Sequence, residues 1–188
     1  MTQFVFLRHG ETDWNLLRRY QGQTDIPLNE TGIAQAKKAH DLLANMKFDS
    51  VYCSDLTRAV ETARLALGSD KMNSVHFDPR LRERGFGSFE GGSYDRSKLD
   101  PCIAAAMHAN PEEFKFPGGE SLYDVEKRVR PFYEMMKTTE PKHASILVIS
   151  HGTLLSILYF IVKGLPVLDK DRPRLANAVP VIYQDSEE

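Results

Sequence analysis

FVFLRHG at residues 4–10 and SILVISHG at residues 145–152 decide the fold: each is a short apolar run that stops abruptly on a histidine followed by a glycine. Unbroken apolar runs of this length suit strands buried on both faces, and the polar residues after them fall in loops. SVYC at 50–53 and Val75-His76-Phe77 read as two further strands. Between them lie helical patterns. IAQAKKAHDLLANM at 33–46 has apolar residues at helical spacing, and LTRAVETARLAL at 56–67 follows Ser54 and Asp55, two good N-cap candidates. Helical spacing resumes from Ser121 to about Met136 through Leu122, Val125 and Val129, with Pro131 expected to kink or interrupt it, and a last helix is expected at about 153–163. Strands alternating with helices imply parallel βαβ units. The expected fold class is therefore α/β, a three-layer α/β/α sandwich with a mostly parallel central sheet. Ligands bind outside the carboxyl ends of such strands, so Arg8-His9-Gly10 and His151-Gly152 are expected to share one site.

A chain of 188 residues, 41% apolar and 27% charged, suits one compact domain over 1–188. Residues 85–119, rich in glycine around a short helical stretch near 98–109, read as a substrate-facing insertion in it. A formal charge of −2 argues against a general nucleic-acid binder. The longest late apolar stretch, LLSILYFIV at 154–162, is too short to span a bilayer, and no signal peptide is apparent at the start. These features imply a cytoplasmic protein with no membrane partner. Cys53 and Cys102 are expected to stay unlinked, with Cys53 as a small core residue.

Arg58 falls in the first turn of its helix, where a cation opposes the helix dipole unless an anion is bound there. A metal site is not expected, because there is no HExxH or tight His/Asp cluster and Arg8 would oppose a cation beside His9. His40, His76, His108 and His143 are expected to be surface or incidental polar residues.

Five blocks, FLRHGETDWN at 6–15, SDLTRAVETA at 54–63, LRERGFGSFEG at 81–91, GGES at 118–121 and ISHG at 149–152, resemble those of the histidine phosphatase superfamily, which contains cofactor-dependent phosphoglycerate mutases and many phosphatases. The resemblance covers nearly the whole chain. It implies that His9 is the nucleophile that takes the phosphoryl group, that Arg8 and Arg58 clamp phosphate oxygens, and that His151 adds a third donor. One nitrogen of His9 must be free to attack while the other donates to a fixed acceptor. Asn15, Gln21, Gly22 and Gly152 match phosphate-pocket positions, and Gly10 and Gly22 allow close backbone approach. Glu83 matches the acid/base position, and a neighbouring phosphate dianion would favour its protonated form. Extended backbone at 82–84 would point Arg82 and Arg84 away from the face carrying Glu83.

The resemblance further implies a small-molecule phosphorylated substrate and no cofactor, and leaves a homodimer open. The interval between the Glu83 block and GGES is short, with cations limited to Arg84, Arg96, Lys98 and Lys115. That favours a phosphatase over a cofactor-dependent phosphoglycerate mutase, whose relatives commonly carry a larger insertion and extra cations. α-Ribazole phosphate, a sugar phosphate and phosphoglycerate all remain as substrates. A non-catalytic phosphate sensor is the alternative of a different class, and it would predict damage at His9 or Glu83.

Overall fold

A computed structural model describes residues 1–168 and 170–185. The strands are β1 (Gln3–Arg8), β2 (Ser50–Cys53), β3 (Val75–Phe77), β4 (Ser145–Ser150) and β5 (Pro180–Gln184). The helices are α1 (Asp13–Leu16), α2 (Glu30–Leu43), α3 (Thr57–Leu67), α4 (Pro101–Ala109), α5 (Leu122–Thr139) and α6 (Gly152–Val162). One sheet of five strands runs in the order β3-β2-β4-β1-β5, parallel throughout except for β5, which lies antiparallel on β1.

Alternation along the central strands distributes the core to both faces. Phe4, Phe6, Ile146 and Val148 pack with Val125, Val129 and Phe132 of α5 and Leu154 and Leu158 of α6. Val5, Leu7, Leu147 and Ile149 face the other way, onto Ala39 and Leu43 of α2 and Ala59 and Ala63 of α3. Each such apolar side chain contributes about 1.5–3 kcal/mol when fully buried, so the central strands are fixed in register from both sides. The small alanines let α2 and α3 lie close to the sheet. The expected α/β sandwich is therefore what forms, with β5 as an addition that the sequence reading lacks.

The chain leaves β1 toward the α2/α3 face and leaves β4 toward the α5/α6 face. Between these adjacent strands, paired Arg8 to Ser150 at their last residues, the sheet opens a crevice at its carboxyl edge.

Three local expectations need correction. Ser54 and Asp55 do not cap α3: Leu56 occupies the N-cap position without a side-chain bond, and Asp25 from a distant loop accepts from Thr57 N at 2.8 Å and Thr57 Oγ1 at 2.7 Å. Ser54 is held by His151 instead, and Asp55 pairs with Arg82 at 2.6 Å. Pro131 does not interrupt α5, which runs on to Thr139. Both Pro131 and Lys127, whose carbonyl loses its partner, are exposed, so water can take the place of the missing N–H. Finally, α2 starts at Glu30, three residues before the first apolar position, because the Asn29 side chain accepts from Gly32 N at 2.8 Å.

Cys53 is buried and Cys102 exposed, and both are free thiols. No described helix is long and apolar enough to cross a membrane.

Candidate active site

At the end of β1, His9 continues the ladder by donating its backbone N–H to Ser150 O at 2.9 Å. Its side chain is 3% exposed. Nδ1–H donates to the Gly10 carbonyl at 2.6 Å, while Nε2 has no hydrogen-bond partner among the described residues. Burial, then the positive charges of Arg58 and Arg8, hold its pKa well below 6.5, so the ring is neutral with the lone pair on Nε2. That is the tautomer and charge an attacking imidazole needs.

The Gly10 carbonyl that fixes this tautomer is itself held. Gly10 N donates to Thr62 Oγ1 at 3.0 Å, and Thr62 Oγ1 donates to Arg58 O at 2.7 Å, which ties the loop to the first turns of α3. A Cβ on Gly10 would sit 2.5 Å from Gly32 O, so only glycine fits.

Arg58 is completely buried. It donates from Nη1 to Thr24 O at 2.9 Å, from Nη2 to Gly22 O at 2.7 Å and from Nε to His151 Nδ1 at 3.2 Å. One N–H on each terminal nitrogen stays available for a ligand. Gly22 presents its carbonyl at φ +57, and a Cβ there would collide with the Glu90 carboxylate. Glu90 earns that place by accepting from Gln23 N, Thr24 N, Thr24 Oγ1 and Phe86 N.

His151 is placed beside His9, ring centroids 5.1 Å apart, but its hydrogen bonding differs from expectation. Nδ1 accepts from Arg58, and Nε2 donates to Ser54 Oγ at 2.8 Å. Burial and Arg58 keep its pKa well below 6.5. As a neutral ring it therefore orients Arg58 and has no proton left for a third donor. It becomes a donor at Nδ1 only by gaining a proton.

Arg8 reaches Leu175 O through Nη1 at 3.0 Å, yet its Nε is buried without a hydrogen-bond partner. Leaving such a donor unmade costs about 1–3 kcal/mol, which an anionic ligand would recover. Gly152, the first residue of α6, lies against the guanidinium, where a Cβ would make ordinary van der Waals contact 3.5 Å from Arg8 Cζ.

Glu83 sits across from these groups. Its carboxylate accepts from Arg84 N at 2.8 Å and from Leu154 N and Thr153 N, each at 3.2 Å, in the first turn of α6. Arg82 and Arg84 do turn away, to Asp55 and to the carbonyls of Glu120 and Phe114. Arg128 pins the segment by donating to Arg80 O, Arg82 O and both carboxylate oxygens of Glu120.

Asn15 and Gln21 belong to a smaller network around Thr12. Asn15 Oδ1 accepts from Thr12 N at 3.2 Å in a capping box, and Gln21 Oε1 lies 2.9 Å from Thr12 Oγ1. Their amide N–H groups are thereby left as the ends free to meet a ligand. Ser54, which the sequence reading placed only as an N-cap, and Thr62, Arg128 and Asn177, whose Nδ2 donates to His9 O at 2.8 Å, support the candidate site without having been assigned to it from the sequence. Only Thr12 had a visible signal, the capping spacing to Asn15.

Two adjoining cavities open beside Glu83 and share Tyr94, Thr153 and Arg172. One, about 340 Å³, has aromatic walls including Tyr20, Phe86 and Phe114. The other, also about 340 Å³, is lined by Arg8, Glu83, Lys170, Arg172 and Arg174. Phe116 and Phe89 stack at 4.4 Å within residues 85–119, and Phe86 and Phe116 pack on Tyr20 at 4.8 and 5.2 Å to fasten that segment to the body, so its aromatics serve both uses. Three of its four cations are engaged elsewhere: Arg84, which lines the first cavity, donates to backbone carbonyls, Lys98 pairs with Asp95 and Lys115 with Asp124, while the side chain of Arg96 lies outside the described ones. The cations near Glu83 come from 170–174 instead.

Residues 4–185 match the family model of the histidine phosphatase superfamily, branch 1. The chain belongs to that superfamily. A relative named "Probable phosphoglycerate mutase GpmB" in Erwinia tasmaniensis is 34% identical over 178 residues, 94% of this chain and 82% of that protein. Among solved structures, the α-ribazole phosphatase of Shigella flexneri superposes with a TM-score of 0.86 at 31% identity, covering 96% of this chain and 89% of that one. A mycobacterial glucosyl-3-phosphoglycerate phosphatase solved with VO3 gives 0.84 at 32%, covering 97% and 92%. Superfamily members thus comprise both phosphatases and mutases, and phosphatases stand among the structural neighbours.

Proposed function

We propose that this protein hydrolyses small-molecule phosphomonoesters without a metal, through a phosphohistidine on His9. The observation that carries the reading is the locked tautomer of His9: Nδ1 is committed to the Gly10 carbonyl, and Nε2 stands unengaged beside a buried, unpartnered Arg8 Nε. The Nε2 lone pair attacks phosphorus as the ester P–O bond breaks, and Glu83 in its acid form gives the leaving alkoxide a proton. Water then attacks phosphorus, Glu83 takes its proton, and the P–N bond breaks to return neutral His9 and free phosphate. Arg8 and Arg58 hold the charge that a metal holds in other phosphatases. The Gly10 carbonyl steadies the positive ring of the intermediate.

A second reading, a phosphoglycerate mutase, is favoured by the name of the relative and by the cations of 170–174, which supply what the 85–119 segment lacks. The two differ in whether water or a second hydroxyl meets the phosphohistidine.

Phosphate release from p-nitrophenyl phosphate in EDTA, with wild type and His9→Ala, tests the proposal. The variant is expected to lose about 10⁴-fold or more of kcat, the scale of losing a nucleophile. A rapid quench of wild type with labelled substrate should trap an acid-labile, base-stable phosphoryl group. Unchanged turnover in His9→Ala overturns the reading, and isomerisation of 3-phosphoglycerate in the presence of 2,3-bisphosphoglycerate without hydrolysis replaces it with the mutase.

A further inference from the structure

The GGES block at 118–121 takes no part in the phosphoryl-transfer steps. Its contacts run to the backbone around Glu83 instead. Residues 82–86 lie in no strand or helix, so the chain that carries Glu83 has no ladder of its own to hold it. Glu120 binds this stretch twice. Its N–H donates to Gly85 O at 2.8 Å, and its Oε2 accepts from Gly85 N, also at 2.8 Å. Gly119 is pressed against the same turn: a Cβ there would lie 2.7 Å from Gly85 O, a closeness that needs glycine. Ser121 then caps α5 by accepting from Asp124 N at 3.0 Å, which ties Glu120 to the start of that helix.

The Glu120 carboxylate gathers two further side chains. Arg128, in the second turn of α5, meets it as a fork, with Nε on Oε1 and Nη2 on Oε2, each at 2.9 Å. The same guanidinium donates through Nη1 to Arg80 O at 2.6 Å and Arg82 O at 2.9 Å, and through Nη2 to Glu83 O at 3.3 Å. Gln23 Nε2 stands 3.3 Å from both Glu120 Oε2 and Glu83 O. The carbonyls of Arg80, Arg82 and Glu83 and both backbone groups of Gly85 are thus held by one bracket, and Glu120 is its joint. Glu120 itself lines neither cavity beside Glu83 and makes no hydrogen bond to Arg8, His9 or Arg58.

We infer that Glu120 is a positioning residue for Glu83: through Gly85 and Arg128 it fixes the backbone from which the acid/base carboxylate reaches the leaving oxygen. This rests on the acid/base role proposed for Glu83. A group that gives a proton in one step and takes one in the next works only within hydrogen-bond reach, and a misplacement of about 1 Å can cost about 10²-fold. The consequence is selective. Loosening the bracket should harm proton transfer to a poor leaving group and spare phosphate binding, because the bracket holds no part of the phosphate clamp.

Glu120→Gln tests this, since it keeps the shape and one acceptor for Gly85 N but sets an amide N–H₂ against the Arg128 fork. The first step on an alkyl phosphate is expected to slow about 10- to 10²-fold, while the burst on p-nitrophenyl phosphate stays within about threefold and competitive inhibition by inorganic phosphate within about twofold. In Glu83→Gln/Glu120→Gln the alkyl phosphate should react no more than about twofold slower than in Glu83→Gln alone, because Glu120 has only Glu83 to act through. Arg128→Lys keeps a charge but not the fork, so it should show the same selectivity to a smaller degree and decides the matter if Glu120→Gln does not fold. Slowing of both substrates with weaker phosphate inhibition by one common factor overturns the inference, as do full alkyl-phosphate activity in Glu120→Gln or additive losses in the double variant. Glu83→Gln alone separates the two levels: if it discriminates between the substrates and Glu120→Gln does not, the positioning role fails and the acid role stands, whereas a Glu83→Gln that does not discriminate sinks the acid role and the inference with it.

Discussion

The crevice between β1 and β4 and the rim formed by 85–119 and 170–175 face the same space but are built on opposite plans. In the crevice, Arg58, His151, Ser54, Thr62 and Thr12 are buried and joined by hydrogen bonds that leave few alternatives. On the rim, Lys170 and Arg174 are exposed and Tyr94 retains 45% of its surface, touching Tyr20 edge-on at 4.3 Å. A buried polar network is costly to leave half-made, so it specifies one geometry suited to stabilising charge in a transition state. Exposed side chains on connecting segments specify little by themselves and can vary with the molecule they meet. The comparison separates reaction from recognition: damage to the crevice should act alike on every substrate, and damage to the rim should act according to the substrate.

Glu83 stands on the border and offers the largest effect. Glu83→Gln removes the proposed acid and base and keeps one acceptor oxygen, which can serve Arg84 N and Leu154 N but not also Thr153 N on the other oxygen. An alkyl phosphate needs a proton on its leaving oxygen, so its kcat is expected to fall about 10²- to 10⁴-fold. p-Nitrophenolate leaves without one, and burst kinetics on that substrate should show a nearly intact first step with slowed dephosphorylation. Equal slowing of the first step on both substrates would deny Glu83 the acid role.

Arg58→Lys comes next. A lysine keeps one charge but cannot serve Gly22 O, Thr24 O and His151 Nδ1 together, so kcat/KM should drop about 10²- to 10³-fold, as on losing a transition-state donor. The factor should be the same for alkyl, aryl and charged substrates. A factor that changes with the leaving group would move Arg58 from the crevice to the recognition side.

The same division governs what could be read in the sequence. Strand ends were legible because an apolar run stopping at RHG or SHG changes character within one residue, and the alternation of Phe4 and Phe6 against Val5 and Leu7 follows from burial on both faces. Arg58 was legible because a cation in a first helical turn is a local contradiction. The helix N-cap was misread, since Asp25 reaches Thr57 from another loop while Ser54 and Asp55 have partners of their own. β5 was missed because PVIYQ begins with proline and pairs only along one edge, leaving no full alternation to detect. Lys170, Arg172 and Arg174 carried no signal at all: their place beside Glu83 comes from Leu175 and Asn177 fastening the segment to the site, a tertiary fact.

Protonation gives a smaller, measurable effect confined to the crevice. His9 and His151 both have pKa values lowered well below 6.5 by burial, whereas in the unfolded chain each titrates near about 6.5. Below that pH the unfolded state binds protons that the native state refuses, so native stability falls as pH drops and is fully present above it. Thermal unfolding followed from neutral pH downward should show this loss, and His9→Gln/His151→Gln should show a shallower one. A variant as pH-sensitive as wild type would mean that the two rings do not enter the native state neutral. Activity should follow the same sign, with kcat/KM keeping no acid limb at 6.5 attributable to His9.

Asn177→Ala should have the smallest effect and tests where the boundary runs. Asn177 is only three residues from Arg174, yet its Nδ2 donates to the His9 carbonyl and the next residue, Ala178, donates its N–H to Arg8 O at 2.9 Å. Losing this one bond should cost about 1 kcal/mol in denaturant unfolding and less than about tenfold in kcat. If Asn177 belongs with the crevice, the loss is uniform over uncharged and doubly charged substrates, because it acts through the backbone that carries His9. A loss concentrated on doubly charged substrates would mean that Asn177 acts through the position of 170–174, and that crevice and rim are one mechanical unit rather than two.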